Sequence, residues 1–477
     1  MKNKEEPPVN SRRENPSVQV DPYRSDDAGI ETTGSLSRPG RTVAAHTGQP
    51  ALSDFSESLM ERVVERANME TAWKNVKANR GAAGPDGITI AEFPDWLTPR
   101  WETLRQQLLD GTYRPQPVRR VAIDKPDGSG QRLLGIPNIV DRLIQQAIVQ
   151  VLTPIFDPGF SESSFGFRPK RSGQGAAKQV RRIIRRGFRY AADLDLSKFF
   201  DRVQHDVLMS RVARKVKDDR LLRLIGNYLR AGVMVDGVLQ RTEEGTPQGG
   251  PASPLLANIL LDDLDKELER RGLPFVRYAD DFAIFARSER AAQRIMESVT
   301  RYLTEALRLV VNQTKSRVVA CDQFEYLGFS FQGQGGTIQV SEKATRKFEH
   351  RIVELTGRSR GISMDHRMSL LRSYVRGWMG YFGLAAQLKL FDRLDQWLRR
   401  RIRACYWKQW RRPKRRREML SSLGVPRRQA IRHARSRKGP WHMAKTIASG
   451  VGMTNAWLGE QGLLSLKTLW ASLAQLR

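Results

Sequence analysis

Two adjacent aspartates, Asp280 and Asp281, sit between short apolar runs, Phe275-Val276-Arg277-Tyr278 before them and Phe282-Ala283-Ile284-Phe285 after them. The pattern predicts two strands, at 275–278 and 282–285, with the acidic pair at a hairpin tip. Neighbouring carboxylates there repel each other and pack against nothing, so a purely structural role is costly. A divalent cation removes that cost. Magnesium in particular favours one or two carboxylates plus phosphate oxygens over an all-protein cage. A second acidic site lies upstream, in Ala191-Ala192-Asp193-Leu194-Asp195. Residues two apart on a strand share one face, so Asp193 and Asp195 point the same way and Asp195 ends the strand. A neighbouring strand that brings Asp195 to the hairpin tip would assemble three carboxylates. Such a set suits two metals about 3.5–4 Å apart, which activate a hydroxyl and stabilise a leaving phosphate. Phosphoryl transfer asks the protein mainly for positioning and charge stabilisation.

These carboxylates need a frame. Strand patterns at 190–196, 275–278 and 282–285 alternate with helical patterns at about 256–271 and 288–307, which predicts an α+β unit. Another hairpin is expected over 118–137, turning at Asp127-Gly128-Ser129-Gly130, and helical patterning follows from 141 to 152. The Gly128-x-Gly130 pair lacks a surrounding strand–turn–helix unit and reads as a plain turn; no phosphate-binding P-loop pattern occurs. Beyond about residue 343 strand signals vanish. Met364, Met368, Leu371, Val375, Trp378 and Phe382 recur at steps of four and three, one face of a helix, and Phe391, Leu394 and Leu398 open a second. A helical bundle is the expected outcome. Residues 1–50 are rich in Pro, Ser, Gly and Thr without an apolar period, so a disordered leader is expected, with order beginning near Phe55.

With 477 residues the chain is long enough for two to four domains. Its formal charge of +30 points to a polyanionic partner, because each neutralised phosphate releases counterions. The excess is uneven. Residues 1–50 balance seven Lys/Arg against seven Asp/Glu, whereas residues 396–477 hold 20 Lys/Arg against Glu418 and Glu460 alone. A membrane surface is the competing partner, but no apolar stretch is expected to approach the roughly 20 residues that span a bilayer. The only two cysteines, Cys321 and Cys405, exclude a disulfide framework and a four-cysteine zinc site, and fit a reducing cytoplasm.

At this point the residues carry a resemblance. Tyr278-Ala279-Asp280-Asp281 resembles the polymerase signature of group II intron reverse transcriptases, and further blocks follow the family's order from about residue 58 onward. They are Gly84-Pro85-Asp86-Gly87, then Gly135-Ile136-Pro137 with Ser164-Phe165-Gly166-Phe167-Arg168-Pro169, then the segment from Asp195 to Asp201. Gly245-Thr246-Pro247-Gln248-Gly249-Gly250, Asn312-x-x-Lys315 and Tyr326-Leu327-Gly328-Phe329 complete the series, the last like a primer grip. The resemblance assigns the metals to Asp195, Asp280 and Asp281, with a backbone carbonyl from Leu196, and leaves Asp193 and Asp201 to structure. Two Mg2+ ions are implied, with Mn2+ as a possible substitute. Lys125 and Arg132 resemble the cations that hold an incoming triphosphate, a point charge and a planar fork. Gln248 would line the nucleotide pocket, and Phe200 would pack on the sugar and exclude a 2′-hydroxyl.

The implied fold is a right-hand polymerase: a leader over 1–54, fingers and palm over 55–340, an α-helical thumb and maturase domain over 341–395, and a small basic DNA-binding domain over 396–477. Within the last, the segment from Tyr406 to Arg417 mixes aromatics (Tyr406, Trp407, Trp410) with cations (Lys408, Arg411, Arg412, Lys414, Arg415, Arg416 and Arg417), a composition suited to phosphate neutralisation and base stacking. The implied activity is RNA-directed DNA synthesis from dNTPs, joined to assistance in intron splicing and retrohoming. Partners would be the intron RNA, an RNA template with a DNA primer, and target DNA, met in the cytoplasm at the nucleoid. Many relatives end in a zinc-supported endonuclease. No cysteine follows Cys405, and His433 and His442 lack metal-motif spacing, so members without that domain, such as the bacterial group IIC ones, are the closer resemblance. The rivals are a non-catalytic RNA-binding splicing factor on the same fold and a reverse transcriptase of a retron or diversity-generating system.

Overall fold

The computed structural model describes residues 58–124, 130–235, 238–240, 245 and 249–475. From the N-terminal side, β1 (Val118–Asp124) and β2 (Gln131–Ile136) form the expected hairpin. After two long helices, Ile139–Phe156 and Gly173–Arg185, comes β3 (Tyr190–Leu194). The short pair β4 (Val233–Val235) and β5 (Val238–Gln240) then joins β1, making a sheet of order β2-β1-β4-β5. Helix Ser253–Arg270 leads into β6 (Phe275–Tyr278) and β7 (Asp281–Ala286), and helix Glu289–Glu305 leads into β8 (Arg317–Ala320). These build the palm sheet, order β6-β7-β3-β8, in which β3 pairs antiparallel with both β7 and β8. A third sheet comprises β9 (Glu325–Tyr326), β10 (Phe329–Gln332) and β11 (Thr337–Val340), and every later described element is helical.

The period of two along β3 and β7 divides the molecule into two cores. Ala192, Leu194, Phe282 and Ile284 face one cluster, shared with the Ile139–Phe156 and Ser253–Arg270 helices. Ala191, Ala283 and Phe285 face the other, shared with the Gly173–Arg185 helix and the C-terminal helices. A sheet buried on both sides is a rigid place to hold charges at its end. Side-chain caps set where the surrounding helices begin. Ser172, Ser288, Ser341 and Ser363 each accept a hydrogen bond from a backbone N–H in the first helical turn, satisfying a donor that the helix leaves open.

The stripe expected over 364–382 forms one helix, Met364–Phe382, and all six of its apolar residues are buried. Three expectations differ. Strand β3 stops at Leu194, not 196, because its pairing with β8 ends at Asp193 and with β7 at Leu194, and Leu196 makes only an isolated bridge to Val311. The expected limit between thumb and basic domain, at 396, falls inside one continuous helix, Leu388–Gln409, so no linker separates those parts. An apolar stretch near membrane-spanning length does occur, over Ile139–Gly159 with mean hydropathy 1.2. Two thirds of it is buried, as in a central core helix. The leader over 1–54 lies outside the described residues.

Candidate active site

Strand register brings the acidic sites together. Asp193 pairs with Ala283 and Leu194 with Phe282, so one further step along both strands sets Asp195 opposite Asp281. Tyr278 pairs with Asp281, which leaves Ala279 and Asp280 as a two-residue turn. Ala279 holds φ at +57°, the left-handed region that usually favours glycine. Beyond β3, Asp195 is fixed by its backbone: its N–H donates to Ser316 Oγ at 3.1 Å and its carbonyl accepts from the Asn312 N–H at 2.8 Å. Leu196 forms an antiparallel bridge with Val311 and has a buried side chain. The buried Tyr326 hydroxyl donates to the Asp281 carbonyl at 3.0 Å, so the Tyr326–Phe329 motif braces the hairpin from behind.

The carboxylates crowd one another. Loss of solvation, followed by the charges of Asp193, Asp280 and Asp195, pushes the Asp281 carboxyl up to about 7. By accessible surface Asp281 still meets solvent, which tempers the desolvation and makes the neighbouring charges the firmer cause. Asp193 is pushed up to about 6, by burial first and by Asp195 third, with the Arg317 guanidinium 3.9 Å away opposing the rise. Lys315 Nζ stands 4.0 Å from Asp195 Oδ2, too little cationic charge for the whole cluster. Among the described residues no three acidic, His or Cys side chains form a ready metal cage. Hard oxygen donors that repel one another, without a closed cage, fit a cation that completes its shell with phosphate and water.

Phe200 lies in a tight turn, Phe199–Asp201, half-buried and edge-on to Phe199 at 5.1 Å. Lys125 and Gln248 lie outside the described residues, and Arg132 is placed by its backbone alone, in β2 opposite Ile123. The glycines flanking Gln248 are described. Gly245, at φ +96°, packs so closely on the Phe200 and Asp201 carbonyls that a Cβ would meet them at 3.0 Å. Gly249, at φ +126°, leaves a Cβ no room against the Gly135 carbonyl. Gly245 thus lies against the Phe200 turn, and Gly249 against β2. His205, which the sequence did not single out, shares a 2.7 Å hydrogen bond with the Gly245 carbonyl, and nothing in its sequence neighbourhood signalled this role. The thumb docks beside the Tyr326–Phe329 motif, where Tyr381 donates to the Leu327 carbonyl at 3.1 Å, and against the Gly173–Arg185 helix, whose Gln174 donates to the Gly380 and Tyr381 carbonyls.

The basic tail departs from expectation in one respect. Trp407 is fully buried, and Tyr406 and Trp410 are nearly so, within the second core. They cannot stack on bases without unfolding the helix that carries them. Arg416 is also committed inward, donating to the Trp410 carbonyl at 2.8 Å and lying over the Trp407 ring. Arg411, Arg412, Arg415 and Arg417 are exposed.

Comparison with known proteins agrees with this geometry. Residues 123–331 match the family described as reverse transcriptase (RNA-dependent DNA polymerase), and residues 345–423 match the group II intron, maturase-specific domain. The chain is 30% identical to protein YkfC of Escherichia coli over 338 residues, covering 62% of this chain and 86% of that protein. It is 30% identical to the group II intron-encoded protein LtrA of Lactococcus lactis over 350 residues, and there it spans 58% of the relative's length. Among solved structures, a partial Cas6-RT-Cas1–Cas2 complex aligns at 25% identity and a TM-score of 0.35, covering 53% of this chain and 43% of that one. The reverse transcriptase match carries dependence on divalent metal, and the maturase match carries intron RNA binding. A palm whose strand ends gather aspartates, followed by a helical domain of the maturase type, places the chain in the family of group II intron reverse transcriptases.

Proposed function

We propose that the chain extends a DNA primer on an RNA template, taking dNTPs as substrates, and that it assists the folding and mobility of the intron RNA it serves. One observation carries the catalytic half: the register that sets Asp195 opposite Asp281, with Asp280 beside it at the turn. Two magnesium ions, or manganese in their place, would be held by Asp195, Asp280, Asp281 and the Leu196 carbonyl, and would supply hydroxyl activation and charge neutralisation at the leaving pyrophosphate. The remaining work belongs to the chain itself. Tyr326, Ser316 and Asn312 hold the backbone that carries the carboxylates. Phe200 offers an apolar face for the sugar and too little space for a 2′-hydroxyl. Lys125, Arg132 and Gln248 would bind the triphosphate and line the nucleotide pocket. Exposed cations beyond 396 would hold target DNA through its phosphates, sequence-independently.

Asp280→Asn and Asp281→Asn test this reading. Each should reduce primer extension on RNA by on the order of 10³-fold or more, leaving RNA binding and splicing assistance intact. Near-normal extension by Asp280→Asn ends the mechanism.

A further inference from the structure

Arg277 precedes the acidic turn by two residues, is fully buried, and is no part of the machinery described so far. Its Nε donates to Asp265 Oδ1 at 2.8 Å and one terminal nitrogen to Asp265 Oδ2, a bidentate pair inside the protein. The other terminal nitrogen donates to Asn258 Oδ1 at 2.8 Å and to the carbonyl of Ala279 at 3.0 Å. Four of its five N–H donors are therefore committed. Asp265 and Asn258 both stand on the Ser253–Arg270 helix, which links that helix to the turn. Asn258 also donates to the Gly166 carbonyl at 2.8 Å. Gly166 in turn lies against the Ala279 nitrogen so closely that any Cβ would collide with it. The backbone of Arg277 itself bonds to Ser163 and Phe165 on either side.

Ala279 is thus gripped at its carbonyl by the guanidinium and crowded at its nitrogen by Gly166, while its φ of +57° is one that alanine avoids. Asp280 follows directly. We infer that Arg277, oriented by Asp265 and Asn258, is a positioning residue that holds the Ala279-Asp280 turn in its left-handed form and so aims Asp280 and Asp281. A buried pair with no other task would serve equally well with one bond to the sheet. Here the spare arm reaches the one backbone carbonyl between the strand and the acidic pair. The inference rests on the polymerase reading above.

The first variant is Arg277→Lys, which keeps a charge beside Asp265 but lacks the planar fork needed to reach Asp265, Asn258 and Ala279 together. The second is Arg277→Met combined with Asp265→Leu, which removes both buried charges at once and leaves neither unpaired. It provides the measurement if the lysine variant does not fold. Primer extension is followed across Mg2+ concentration, together with primer–template affinity and thermal melting. In the folded variant kcat should fall about 10–100-fold, the scale of a small misplacement of reacting groups. Primer–template affinity should stay within about twofold, and half-saturating Mg2+ should rise by about threefold or more. Adding Ala279→Gly, for which the left-handed φ costs nothing, should recover about fivefold or more of the missing kcat. A kcat within twofold of the parent, or a loss that Ala279→Gly does not relieve, overturns the inference and makes the pair an anchor only. A parent protein that extends no primer at any Mg2+ concentration would instead sink the polymerase reading.

Discussion

The palm hairpin and the basic tail both concentrate charge of one sign, and they handle it in opposite ways. In the palm, Asp193, Asp280 and Asp195 crowd Asp281 at the end of a doubly buried sheet, so that partial loss of solvation and, more firmly, these charges push the Asp281 carboxyl up to about 7. In the tail, Arg411, Arg412, Arg415 and Arg417 spread over the surface while the aromatics just before them, Tyr406, Trp407 and Trp410, turn inward. Charges held together against repulsion define a site that a cation completes, where each residue matters greatly. Charges dispersed in water define a field, where each contributes little and salt screens all of them.

The largest effect that separates the two regions is one of stability. Trp407→Ala should destabilise the fold by about 3–5 kcal/mol, the usual cost of emptying a buried tryptophan site, seen in denaturant unfolding. Were Trp407 a stacking residue, stability would hold and DNA affinity alone would drop. Of intermediate size is the replacement of Arg411, Arg412, Arg415 and Arg417 by Ala. The slope of log DNA affinity against log salt should flatten by about 0.9 for each phosphate left without its cation, with extension of an annealed primer on generic RNA preserved. Collapse of extension at unchanged DNA affinity would tie this region to the polymerase body. Arg416 is kept out of that set because it is bonded to the Trp410 carbonyl. The smallest expected effect is one of selectivity. Phe200→Val should lower the preference for dNTP over rNTP by about tenfold, a typical yield for a pocket changed by a few carbons, with polymerisation retained. An unchanged ratio would return Phe200 to the core that Phe199 already joins.

What the residue order determined alone is local. The acidic hairpin at 275–285 and the Met364–Phe382 stripe follow from periods of two and about 3.6, and the turn chemistry at their ends follows from residue type. The candidate triad was legible because two carboxylates at a hairpin tip have no packing reason to exist. What only the tertiary structure decided is which faces meet. That Asp195 stands opposite Asp281 depends on antiparallel pairing of two strands far apart in the chain. That Trp407 and Trp410 turn inward depends on the second core, which recruits residues from the Gly173–Arg185 helix through Leu466. Aromatic residues among arginines look alike whether they stack on a base or on each other, since both environments are apolar faces edged by cations. Arg277 shows the same limit from the other side. An arginine in a strand reads as a surface charge until the helix carrying Asp265 and Asn258 is folded over it, because burial of a charge is a property of its partners, not of its position in the chain.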